Sequence, residues 1–277
     1  PHFGYAYNNM GISLGYIMQY EEAIKSYKKA LEIQPNNEEI LHNIGKILSK
    51  ITVNNQNEEI TNLLCLILDR NNIIRPSDIS KLSLKLIKFE SGYNKLVKKY
   101  NSGDLNNSFH EVIKDLSDIS LLSKLMKVLP LPDLELEKML TFVRRSFLLL
   151  STKDTFPSES LKFLSDLALQ CFTNEYIYPQ EFEESKKLKE VELLVKEMFI
   201  SNKQPSVQLI LCLASYNALQ KYNWSHLIVN NPFIEDVLRR QAIEPLQEFQ
   251  LKQTMPILED VNNKISLNNF YRSLMFQ

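Results

Sequence analysis

The sequence predicts an all-α fold, on three observations. Met10-Gly11 recurs as Ile44-Gly45 34 residues later, a period typical of repeat arrays. From about residue 58 onward, apolar residues recur at helical spacing between proline and cap residues. All six glycines lie at or before Gly103, and Asn-Gly and Asp-Gly, the favoured tight hairpin turns, are absent. The glycine map also excludes chemistry. Phosphate and cofactor loops need a backbone that takes positive φ or approaches the ligand closely. No G-x-G-x-x-G turn, P-loop or G-x-S-x-G elbow is therefore possible over residues 104–277.

The first element pair is the most specific. Tyr7, Met10-Gly11 and Leu14 are followed by Ala23, Tyr27, Ala30 and Pro35. Gly11 and Ala23 are small where two antiparallel helices cross, with Tyr7, Met10, Leu14, Tyr27 and Leu31 expected to fill the seam. Pro35 ends the second helix, and Asn36-Asn37 suits the turn. This pattern resembles the tetratricopeptide repeat, in full over residues 4–37 and in part over 38–70. In the second unit Leu41, Ile44-Gly45 and Leu48 keep register. VNNQN (53–57) then interrupts, and Ile60 stands where a small residue is expected. That reads as a capping repeat, with either further repeats before Pro1 or the helices after residue 70 covering its open face.

Asn9 and Asn43 occupy the same place in successive units. Their spacing is similar to the asparagine ladder of the tetratricopeptide superhelix in O-linked N-acetylglucosamine transferases. That resemblance implies amides holding a peptide backbone, since one amide both donates and accepts. The alternative is ordinary solvated Asn near a helix start. Asn8 and His42, one position earlier, are further peptide-binding candidates.

The later helices follow in order. ITNLLCLILDR should pack on the helix at 78–90 through Ile79, Leu82, Leu86 and Phe89. NSGD (101–104) reads as a linker, dividing repeats with capping helices (1–100) from a non-repetitive helical domain (101–277). SFHEVIKDLSDISLLSKLMKVL reads as one helix, Asp133 caps the next, and Pro205 and Pro232 should sit in first helical turns. Stretches within 121–266, among them LPDLELEKMLTFVRRSFLLL, NNPFIEDVLRRQAIEPLQE and TMPILEDVNNKIS, resemble a helical region of bacterial proteins. In those proteins tetratricopeptide repeats precede a class I S-adenosylmethionine-dependent methyltransferase domain. The glycine-rich cofactor loop of that family does not follow here. The resemblance therefore implies a recognition or regulatory part without its catalytic domain, and no cofactor.

Composition narrows the function classes further. A formal charge of −1 argues against a general nucleic-acid binder. No apolar run reaches the 18–20 residues that span a bilayer. Three scattered cysteines, Cys65, Cys171 and Cys212, form no disulfide framework and suggest a reducing compartment, the bacterial cytoplasm or a host cytosol. His110-Glu111 lacks the second histidine of a zinc motif, and Cys212 with His226 makes a nucleophile and base only if folding joins them. The carboxylate pairs Glu135/Glu137, Glu183/Glu184 and Glu235/Asp236 and the cation pair Arg239-Arg240 are expected in solvent. Trp224 is expected in the core. No catalytic, cofactor or metal residue is assigned, and the expected partner is a protein or peptide, with oligomeric state left open.

Overall fold

The computed structural model describes residues 2–70, 72–103 and 108–248, and these contain helices and loops but no β-strand. Helices α1 (His2–Tyr16) and α2 (Tyr20–Ile33) form the first antiparallel hairpin, and α3 (Glu38–Leu48) and α4 (Glu58–Leu68) the second. A Cβ placed on Gly11 would lie 2.6 Å from the Tyr27 ring, so α1 and α2 close only because that position is glycine. The Asn-rich loops start helices: Asn37 accepts from the Glu39 and Ile40 amides, and Asn57 accepts from Ile60. Met10 corrects the expected seam. It is 54% exposed, because α1 turns Gly4, Asn8 and Gly11 inward and leaves Met10 on the far side. At the positions one repeat later, Ile40, Ile44 and Ile47 are buried, whereas Ala6, Met10 and Ser13 are exposed. Helix α3 is flanked by α2, α4 and α5, and no described helix covers the outer face of α1.

Six further helices follow: α5 (Pro76–Ile87), α6 (Ser91–Ser102), α7 (Phe109–Ser117), α8 (Ser120–Val128), α9 (Leu134–Leu150) and α10 (Ser158–Thr173). After them come α11 (Phe182–Ile200), α12 (Val207–Ala214) and a short α13 (Glu235–Leu238) that runs into a π-helical turn, Arg239–Ile243. The single helix expected from Ser108 to Leu129 is two. Asp118 and Ile119 break it, and Ile119 leaves helical geometry with its side chain in the core. Gly92 lets α6 approach α7, since a Cβ there would meet the Asp115 carbonyl oxygen at 2.4 Å. Pro205 lies outside α12, which begins after Ser206, and Asn231 forms a turn to the Phe233 amide before the helix starts at Glu235. Part of the NSGD stretch (Asp104) and the resembling stretch TMPILEDVNNKIS lie outside the described residues. Asn101 and Ser102 belong to α6, which ends at the left-handed Gly103.

Helix α10 is buried on every side from Phe163 to Cys171, as expected of a helix surrounded by others, here α7, α8, α12 and α13. Helix α4 does pack on α5, with Ile79, Leu82 and Leu86 buried and Phe89 partly so. It also packs on α8, as does α5, and the buried cluster runs without a break from Ala23 to Ala242. This contact predicts the behaviour of a nicked chain. With a protease site inserted between Gly103 and Ser108, the two pieces should co-elute after cleavage. Burying a leucine-sized side chain contributes about 1.5–3 kcal/mol, and several cross that junction. Separate elution of the pieces without denaturant would disprove it.

One polar cluster is fully enclosed. Arg144 of α9, 1% exposed, donates to the Pro179 carbonyl at 2.7 Å and the Tyr178 carbonyl at 3.4 Å, and lies 3.5 Å from Glu184. Its guanidinium sits 4.3 Å from the Tyr216 ring centre, and Tyr216 donates its hydroxyl to Glu184 at 2.6 Å. The second Glu184 oxygen accepts from the Glu181 amide, closing a capping box at the start of α11. The planar fork of arginine thus fastens the α10–α11 connection to α9.

Candidate protein-interaction face

Helices α1 and α3 lie side by side, and the candidate asparagines sit along their junction. Asn8 is buried, donates to Glu39 at 3.3 Å and accepts from Asn43 at 3.1 Å. Asn43 therefore has its Nδ2 engaged while its Oδ1 has no partner among the described residues. Asn9 is exposed. Its main-chain carbonyl accepts from the Ser13 hydroxyl, and its amide is bonded to no described residue. His42 is turned to another job, donating from Nδ1 to the Ile73 carbonyl at 2.7 Å and tying α3 to the α4–α5 connection. The four residues thus divide into two with open hydrogen-bonding atoms, Asn9 and Asn43, and two engaged within the chain, Asn8 and His42. Sequence spacing alone could not make that division, because Asn8 and Asn9 are neighbours on a helix with no charged residue to mark its faces.

The residues weighed for chemistry fall elsewhere. Cys212 is fully buried and His226 exposed. Burial pushes the Cys212 thiol up to about 12, and that of Cys171 likewise, which disfavours the thiolate a nucleophile needs. His110 faces Asp154 at 3.1 Å and Glu111 pairs with Lys99. Among the described residues no group of three His, Cys, Asp or Glu side chains is placed to hold a metal ion. Trp224 is half-buried, stacked on Tyr222 at 4.6 Å and on Phe199 at 5.2 Å.

Two expectations of solvent exposure are corrected. Glu184 is buried against Arg144 and Tyr216, because the capping box turns it inward. Arg240 reaches inward to the Lys127 carbonyl and, at 3.0 Å, to the Thr173 hydroxyl, because it stands on the face of its segment turned toward α8 and α10, while Arg239 beside it faces solvent.

A family model described as TPR repeat matches residues 19–51. The match covers α2 and α3, the second helix of the first unit and the first helix of the second. No curated protein and no solved structure matches the chain, so the methyltransferase-associated resemblance gains no support from them. The all-helical, TPR-like fold supports a protein–protein interaction module in general terms. No helix among the described residues is long and apolar enough to cross a membrane.

Proposed function

We propose that the α1–α3 face binds an extended peptide through the side chains of Asn9 and Asn43. The observation that carries this reading is the state of the two amides. They occupy equivalent positions 34 residues apart, and each keeps a polar atom without a partner among the described residues. Asn8 holds Asn43 from behind, so that side chain is oriented before a ligand arrives, which lowers the ordering cost of binding. In this reading residues 1–100 carry the binding face, and residues 101–277 support it through α8. The three free cysteines favour a reducing compartment for the complex.

The test uses peptides selected from a displayed random library whose protection footprint falls on α1 and α3. Replacing Asn9 and Asn43 together with Ala should leave the melting temperature unchanged and weaken binding. Each lost hydrogen bond is worth about 0.5–1.5 kcal/mol, so the pair should cost about 1–3 kcal/mol, up to about a hundredfold in Kd. Unchanged affinity in the double variant would remove the asparagines from the site.

A further inference from the structure

Away from the α1–α3 face, the end of α4, the start of α5, α8, α10 and the α13–π segment enclose a crevice of about 700 Å³. That volume suits a whole small ligand. Its charge is one-sided. Arg70, Lys124, Lys127, Lys162, Arg239 and Arg240 line it, against Asp69, Asp236 and Glu244. Some of these cations are neutralised within the chain. Lys124 pairs with Asp69, Lys127 pairs with the buried Asp166 at 3.1 Å, and Arg239 holds both Asp236 and Glu244.

Three of the lining cations make no ion pair among the described residues. Among the described residues Arg70 reaches only the Asn36 side-chain oxygen, and Lys162 is exposed with no ion pair, near Asp166 but not bonded to it. Arg240 is bound to a carbonyl and a hydroxyl, and burial draws its guanidinium below the usual arginine range. Its hydrogen-bond partners are neutral, and the nearby Glu244 and Asp236 offset only part of the cost of its burial. The three come from three different walls: the end of α4, the second turn of α10, and the π turn. Ser120 lines the same crevice, and α8 begins there without a side-chain cap, whereas the Ser117 and Ser123 hydroxyls already donate to the Lys114 carbonyl and to Asp166. Hydroxyls, guanidinium forks and free helix amides are the donors that phosphate oxygens take.

We infer that this crevice binds a small polyanion carrying two or more phosphate groups, seated between Arg70, Lys162 and Arg240. Compact phosphates satisfy cations on several walls at once. The interaction joins α4 to α10 and the π segment, so an occupied crevice would also clamp the repeats to the helices behind them.

The probe is inorganic tripolyphosphate, titrated calorimetrically into the full chain at about 0.15 M salt, where exposed charges are screened beyond roughly 8 Å. One-to-one binding is expected. The double variant Arg70→Gln/Lys162→Gln, changed only at the rim, should lose at least about tenfold in affinity with an unchanged melting temperature. The control Lys203→Gln/Lys221→Gln, with the same charge change outside the crevice, should bind as the parent does. Absence of binding up to about 10 mM, well above useful small-ligand affinities, would overturn the inference. So would equal loss in both double variants, since that reports net charge alone. Hexaglutamate or a single-stranded oligonucleotide binding as tightly as tripolyphosphate would also overturn it, by assigning the crevice to an acidic peptide or to nucleic acid.

Discussion

Replacing Arg144 with Met should destabilise the protein by about 3–5 kcal/mol, the cost of leaving one partner of a buried ion pair uncompensated. The reason is specific to the surroundings. Glu184 would keep the Tyr216 hydroxyl and the Glu181 amide but lose the cation it pairs with among the described residues, and two carbonyls of the α10–α11 connection would lose their donor. That is a large share of the roughly 5–15 kcal/mol that holds a typical domain together. Urea unfolding followed by circular dichroism measures it. The double variant Arg144→Met/Glu184→Gln should recover a good part of the loss, because the stranded charge is gone while Tyr216 still has an acceptor. A double variant as unstable as the single one would show that packing of the arginine against Tyr216 and Tyr178, not the unpaired carboxylate, carries the effect.

Truncating the same repeat position in the two units should give opposite results. Ile44→Ala is expected to cost about 2–5 kcal/mol, since a fully buried aliphatic side chain leaves a cavity. Met10→Ala, at the equivalent place in α1, should stay within about 0.5 kcal/mol, since Met10 is exposed. The same urea titration reads both. A cost above about 2 kcal/mol for Met10→Ala would mean that the outer face of α1 is covered in solution. Concentration dependence of that cost would then identify a second copy as the cover.

Much of the helical layout was legible in the residues themselves. The tetratricopeptide spacing placed α1 to α3, and Gly11 against Tyr27 is the close crossing that the small residues implied. Asp133 caps α9 as expected, and the stripe of α5 meets α4. Misreadings came where a local rule had two outcomes. Apolar spacing continues through residues 117–120, so periodicity alone joined α7 to α8. Pro205 suits a helix start, yet Ser206 is extended and delays it. The candidate site was legible only as a spacing: Asn9 and Asn43 stood out by their 34-residue interval, but which amides remain open depended on Glu39 and on the Ile73 carbonyl.

By itself the sequence determined what acts over a few residues: the all-helical class, most caps and breaks, the repeat hairpin, and the exclusion of glycine-dependent phosphate loops from residues 104–277. These follow from backbone preferences and from neighbours three or four positions away, which the chain states directly. The tertiary structure alone decided that Met10 faces outward while Ile44 is buried, and that Glu184 is enclosed. It also decided that α4 and α5 share α8, and that Arg240 enters a crevice with Arg70 and Lys162. Each depends on a partner far along the chain, 40 residues for Arg144 and Glu184 and 113 for Arg240 and Lys127. Burial and electrostatic pairing are properties of that assembled neighbourhood, and no periodicity in the chain encodes them.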